Sequence, residues 1–167
     1  MKYRYLDSPF GRVLVAGDGD RLQWLSFTTG RQEATSLSEW TEDNRNTLLR
    51  ETGRELEAYF AGKRERFDLP LAPQGTAFQK RVWKRLVAIP YGETVSYSEL
   101  AGRIGRLGAF RAVGAANGQN PISVIIPCHR VLGKNGDLTG YGGGLATKRE
   151  LLELERCTKQ KRSERSR

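Results

Sequence analysis

Pro127-Cys128-His129-Arg130 places the chain's single histidine beside one of its two cysteines. Cysteine attacks as the thiolate, so an adjacent imidazole that accepts its proton or lends positive charge is the first requirement for covalent chemistry at sulfur. Neighbours on a regular strand point to opposite faces, so the pair needs a turn, and Pro127 supplies a break where one can form. A histidine base also needs one nitrogen held and the other free. Glu155 is the candidate holder. It falls three residues after Leu152 and four after Leu151, which sets its carboxylate on an apolar helical face where an unpaired charge is costly. Cys128, His129 and Glu155 then make a nucleophile, a base and an orienter. The same residues also fit a plainer reading, with Cys128 a small buried hydrophobe and Glu155 on a solvent-exposed rim.

Several elements must bring these residues together. Val124-Ile125-Ile126 reads as a short apolar strand leading into Pro127. Thr147 and Glu150 suggest a capping box for a last helix carrying Leu151, Leu152 and Leu154. Between them lie Gly133-Lys134-Asn135-Gly136 and Gly140-Tyr141-Gly142-Gly143-Gly144, a loop able to fold across a small pocket with Tyr141 as an aromatic wall. It lacks the Lys-Ser/Thr that a phosphate-binding loop requires. Upstream, Thr76 with Gln79 and Ser96 with Glu99 are capping boxes that open two helices. The first has Phe78, Val82, Leu86 and Val87 on its core face and closes at Pro90. Gly108 precedes a short helix from Ala109 to Gly118, rich in Ala and Gly, with Arg111 its one cation. Two short helices around a glycine turn form a helix-turn-helix candidate. Small residues let a helix backbone approach phosphates, and they equally allow tight helix packing; both hold if opposite faces are used. Asn120 can tie the next turn together, and Asn117 can cap its helix.

The first third alternates as strands do, at Tyr3 and Tyr5, Val13 and Val15, then Leu22, Trp24 and Phe27, with Asp18-Gly19 a hairpin turn. A polar stretch follows. Leu48, Leu49, Thr52, Leu56, Tyr59 and Phe60 share one face of a helix from about Arg45 to Ala61, which Gly62 can stop. Phe67 and Leu69 suggest one more extended piece. The expected fold is α/β (α+β): a small amino-terminal domain, residues 1–70, with an antiparallel sheet and a helix, a linker at 71–75, and a mainly helical domain at 76–156. Residues 157–167 read as a basic, flexible tail.

The 167 residues hold 28 Lys and Arg against 19 Asp and Glu, a formal charge of +9. That permits a polyanionic partner without identifying one, because six of the cations fall between Arg156 and Arg167. No apolar run approaches the roughly 18 residues of a membrane span, and none near the start reads as a signal peptide. Two cysteines do not build a disulfide scaffold, so a reducing cytoplasm is expected. One histidine excludes histidine-rich zinc chemistry, and no metal or cofactor is expected.

These motifs, in this order, resemble the O6-alkylguanine-DNA alkyltransferases, also called methylated-DNA–protein-cysteine methyltransferases. The resemblance rests on Pro127-Cys128-His129-Arg130, Asn120-Pro121, Ile125-Ile126 and Arg111-Ala112-Val113-Gly114. It continues through Gly140-Tyr141, the glycine loop, Lys148 and Leu151-Leu152 to Glu155, so its strong part covers residues 76 to 155. It implies that Cys128 accepts an alkyl group from O6 of guanine, irreversibly and once per molecule, with O4-alkylthymine a further substrate left open. His129 and Glu155 would activate Cys128, and Tyr97 would protonate the departing guanine. Arg111 would enter the base stack in place of a flipped nucleotide, with Ala112, Gly114, Ala115 and Asn117 on the same DNA-binding helix. Asn120, Pro127 and Arg130 would organise the site, Val131 and the backbone near Cys128 would read the guanine edge, and Tyr141, Gly142 and Gly143 would form the pocket lip. The implied partner is double-stranded DNA bound through the minor groove. A monomer without an obligate protein partner is expected.

The chain departs from the family pattern at Gly142, where serine or alanine is common, and at Leu107 and Phe110 between the two DNA-binding helices. Its amino-terminal region lacks the Cys and His set that holds structural zinc in some relatives. The competing function is a lesion-binding module with an inert Cys128 that recruits another repair system. The nucleophile itself argues against that reading. A Cys-His hydrolase lacks any supported oxyanion site.

Overall fold

The structure, a computed structural model, describes residues 1–29 and 37–167; residues 30–36, within the polar stretch, lie outside it. Strands β1 (Lys2–Leu6), β2 (Val13–Asp18) and β3 (Arg21–Phe27) form an antiparallel meander, with Tyr5 opposite Leu14 and Val15 opposite Leu25. Gly19 takes the positive φ that the tight β2–β3 turn demands. A two-residue strand, β4 (Thr41–Glu42), adds parallel to β1, giving the order β3-β2-β1-β4. Two residues are too few to carry an alternating pattern, so nothing in the sequence announces β4.

Helix α1 (Thr47–Phe60) starts where the Asn46 side chain accepts from the Leu49 amide. It buries Leu49, Thr52, Leu56 and Tyr59 against the sheet, as the helical spacing predicts. Its end is a glycine cap: Gly62 has φ 70°, and the Gly62 and Lys63 amides turn back to the Tyr59 and Ala58 carbonyls. Glu55 lies on the same buried face, accepting from the Asp68 amide and pairing with Arg64. Phe67 and Leu69 do not form a strand. Instead the Leu22 amide donates to Pro70 and the Ala72 amide to Leu22, both at 2.8 Å, so the expected linker is hooked along the edge of β3.

Helix α2 (Ala77–Val87) carries the capping box read from Thr76 and Gln79. Trp83 takes the core place expected of Val87, which is half exposed; its indole N–H donates to the Ala116 carbonyl and so ties α2 to α4 (Phe110–Gly118). Between them, β5 (Val95–Ser96) leads into α3 (Tyr97–Arg103), whose Ser96–Glu99 capping box is also present. Gly105 and Gly108 turn the chain from α3 to α4 with positive φ. Strand β6 (Val131–Leu132) pairs parallel with β5, Val95 opposite Val131, and the long α5 (Leu145–Arg165) closes the molecule.

Three further expectations are corrected. Val124 to Ile126 is a turn rather than a strand, with Val124 at φ 71°; an apolar tripeptide carries no period, and here its burial comes from a turn packed inside the core. Thr147 does not cap α5: the helix begins at Leu145 after Gly144, and Thr147 is buried within its first turn. The basic segment is not a frayed tail. α5 runs on through Arg165 because Arg162 pairs with Glu65 at 2.5 Å and donates to the Gly62 carbonyl, while Lys159 reaches Glu93 at 3.3 Å.

Candidate active site

The site begins in the turn between α4 and β6. The Asn120 amide nitrogen donates to the Ile126 carbonyl at 2.8 Å, and its oxygen accepts from the Ile122 amide at 3.0 Å. This side chain, 1% exposed, spans the turn and keeps Val124 in a left-handed conformation that a β-branched residue resists. The edge of β3 supports the turn from outside, since the Leu25 amide donates to Pro121 and its carbonyl accepts from Ser123. Pro127 then enters a single 3-10 turn, Cys128–Arg130. That turn removes the opposite-face problem of a strand and buries Cys128, His129 and Arg130 together.

Glu155, fully buried on α5, is the hub of the cluster. His129 Nε2 lies 2.8 Å from Glu155 Oε1. Arg130 Nε donates to both carboxylate oxygens, its Nη2 to Oε1 at 2.8 Å, and its Nη1 to the Ile89 carbonyl. The Gly92 amide donates to Oε2 at 3.1 Å, and the Tyr59 hydroxyl to Oε1 at 2.6 Å. Burial alone would raise the Glu155 pKa; the hydrogen bond from His129 and the hydrogen bonds and charge of Arg130 outweigh it and hold the carboxyl well below its usual range. A carboxylate only accepts, so Nε2 carries the imidazole proton and Nδ1 keeps its lone pair. Nδ1 is buried with no protein partner among the described residues. Burial pushes the His129 pKa down, which keeps the ring neutral, as a base must be.

Cys128 is 4% exposed, and burial pushes its thiol up, against the opposing pull of the Asn120 side chain and Lys148. The resting residue is therefore a thiol that must lose its proton as it reacts. Burial also raises Tyr97 and Tyr141, and negative charge on Cys128 would raise both further. The Tyr97 hydroxyl donates to the Thr139 carbonyl at 3.3 Å. Lys148 Nζ is buried and donates to the carbonyls of Val131 and Thr139 at 2.6 and 2.7 Å, pinning the glycine loop against β6. Burial lowers its pKa to about 8. Gly143 is required by contact: a Cβ there would come within 2.8 Å of Tyr141 and 2.9 Å of Phe27.

On α4 the two faces separate cleanly. Arg111, Ala112 and Ala115 are exposed, Gly114 is partly covered by Tyr97, and Val113, Ala116 and Asn117 are buried. Asn117, expected on the DNA-binding helix, sits on its buried face. Its amide nitrogen points to the Cys128 carbonyl at 3.4 Å, joining the helix to the reactive turn.

Comparison with known proteins finds relatives over nearly the whole chain. Residues 1–73 match the family model of the 6-O-methylguanine DNA methyltransferase ribonuclease-like domain, and residues 77–157 match the DNA binding domain of the same family. The chain belongs to the 6-O-methylguanine DNA methyltransferase family. A methylated-DNA–protein-cysteine methyltransferase of Methanosarcina barkeri is 52% identical over 155 residues, 93% of this chain and 97% of the relative. That of Mycobacterium bovis is 52% identical over 154 residues, 92% of each. A crystal structure of Mycobacterium tuberculosis O6-methylguanine methyltransferase superposes with a TM-score of 0.87 at 50% identity, covering 94% of this chain and 93% of that one. The structure of Mycobacterium tuberculosis OGT in complex with DNA gives the same TM-score at 49% identity, covering 95% and 94%.

In this family member, two contributors to the cluster escaped sequence reasoning. Tyr59 reads only as one more member of the α1 apolar stripe, and no spacing ties it to a glutamate 96 residues away. Gly92 acts through its amide, which no side-chain motif records.

Proposed function

We infer that the protein repairs alkylated DNA by moving the alkyl group onto the Cys128 sulfur, with O6-alkylguanine as the substrate. The observation that carries this reading is the buried run Cys128–His129–Glu155, with Nε2 committed to the carboxylate and Nδ1 left free to take a proton. The Cys128 thiol passes its proton to His129, directly or through a water. The sulfur attacks the alkyl carbon, the S–C bond forms, and the C–O6 bond breaks. Tyr97 donates to the leaving guanine, which departs neutral. The thioether has no easy return to a thiol, so each molecule acts once.

DNA docks through α4, in the minor groove. Arg111 occupies the space of the extruded nucleotide, while Ala112, Gly114 and Ala115 let the backbone approach the phosphates. Because Cys128, Tyr141 and Gly143 are buried, the Gly140–Gly144 lip shifts to admit the base, and Val131 and the Cys128 backbone read its edge. Residues 1–70 and 76–156, joined by 71–75, divide this work between support and chemistry. A cytoplasmic setting goes with the free thiol and the DNA substrate. Among the described residues no helix is long and apolar enough to cross a membrane.

Intact mass after mixing with a duplex containing O6-methylguanine tests the reading. A permanent gain of about one methylene, absent in Cys128→Ala, is expected. Unchanged mass with retained lesion binding would overturn it in favour of the inert lesion-binding module.

A further inference from the structure

We infer that Tyr59, carried by the amino-terminal helix α1, is a positioning residue for the base: its hydroxyl sets how tightly Glu155 binds a proton on His129. The geometry is specific. Tyr59 Oη donates to Glu155 Oε1 at 2.6 Å, the same oxygen that receives His129 Nε2 at 2.8 Å, and Oη lies 3.5 Å from Nε2. The side chain is fully buried, and its ring is held by Phe60, Phe67 and Tyr91 at centroid distances of 5.3 to 6.0 Å. The hydroxyl therefore has little freedom to turn elsewhere.

An O–H donor on Oε1 draws negative charge away from that oxygen and weakens its attraction for imidazolium. His129 then stays neutral, and able to accept the Cys128 proton, down to a lower pH. Arg130 acts in the same direction from the reactive turn, and Lys148 from α5. Glu155 opposes them, Cys128 lies on the preceding residue, and Tyr91 packs against Tyr59 from the turn before β5. Among these groups Tyr59 is the one supplied by the segment matching the ribonuclease-like domain. That segment therefore has a chemical task in addition to its packing.

The catalytic consequence rests on the alkyl-transfer reading, but the titration does not. His129 is the chain's only histidine, so imidazole 15N resonances of the free protein report it without ambiguity. Tyr59→Phe keeps the ring and removes the hydroxyl. We expect its His129 pKa to rise by about one unit and the acid limb of the alkyl-transfer rate to move up by the same amount. On a Glu155→Gln background the same substitution is expected to leave the titration unmoved, because the charge it modulates is gone. Identical titrations in wild type and Tyr59→Phe would overturn the assignment, as would a rate reduced equally at every pH or a lower melting temperature with an unshifted titration. A shifted titration in a protein whose Cys128 takes no alkyl group would uphold this inference and overturn the function.

Discussion

Arg130 grips both oxygens of Glu155, with Nε at 3.2 and 2.9 Å and Nη2 at 2.8 Å, while its remaining nitrogen reaches the Ile89 carbonyl at 2.6 Å. Glu155 is thus a buried anion whose main counter-charge comes from the residue next to the histidine it orients. Removing one partner of a buried pair leaves the other charge uncompensated, at about 3–5 kcal/mol. Arg130→Met should lose stability of that order in urea unfolding at pH 7. Glu155→Gln in the Arg130→Met background should recover part of the loss, since no unpaired anion then remains. A single variant as stable as wild type would contradict the pairing.

Asn120 closes the turn that delivers Cys128. Asn120→Ala leaves the Ile122 amide unpaired in the core, worth on the order of 1–3 kcal/mol, and leaves the Ile126 carbonyl with only the Cys128 amide. It also releases Val124 from its positive φ. Alkyl transfer should slow more than DNA binding weakens. Equal losses in single-turnover rate and in affinity would argue against a role confined to the turn.

Stability should depend on pH through His129. Burial depresses its folded pKa below the unfolded value, so the unfolded chain binds the extra proton first as pH falls. The sign is a loss of stability below about pH 6.5, at most about 1.4 kcal/mol per pH unit. Glu155 is depressed too, so its contribution is held throughout this interval and lost only in stronger acid. Urea unfolding at pH 5.5 and 7.5 reads the difference, and His129→Asn should flatten it. A slope that survives the substitution would assign the effect to other groups.

Arg111 and the end of α5 should separate in their effects on DNA. Arg162 and Lys159 already pair with Glu65 and Glu93, and a Cβ on Gly62 would meet Thr158 Oγ1 at 2.9 Å, so α5 is packed as far as Thr158 and its exposed end is tied to the body by ion pairs. Deleting residues 159–167 should cost about 1 kcal/mol of stability and change the salt slope of ordinary duplex binding by less than the roughly 0.9 expected for one phosphate contact. Arg111→Ala should weaken binding to lesion duplex more than to ordinary duplex. A large fall in salt slope on truncation would restore the end of α5 as a DNA contact.

Gly143→Ala should strain the lip. The added methyl meets the Tyr141 and Phe27 rings below 3 Å, and overpacking of this kind costs about 1–3 kcal/mol. Slower alkyl transfer with unchanged affinity for undamaged DNA is expected in a stopped-flow assay.

The residue types and short spacings of the sequence determine the chemistry and its local scaffolding. Cys128 beside the only histidine, the boxes at Thr76 and Ser96, the hairpin glycine and the apolar stripe of α1 are all effects within a few residues, and the chain folds them as read. Glu155 was legible because a charge on an apolar stripe demands a partner. Which partners it finds was decided by tertiary structure. Tyr59, Gly92 and Arg130 converge on it from three distant segments, and a hydrogen bond across 96 residues leaves no period in a sequence. The same holds for the misread pieces. Val124-Ile125-Ile126 is apolar whether strand or turn, and only the Asn120 clamp selects the turn. Residues 159–165 lack an apolar stripe, yet Glu65 and Glu93 hold them helical because folding brings those carboxylates alongside.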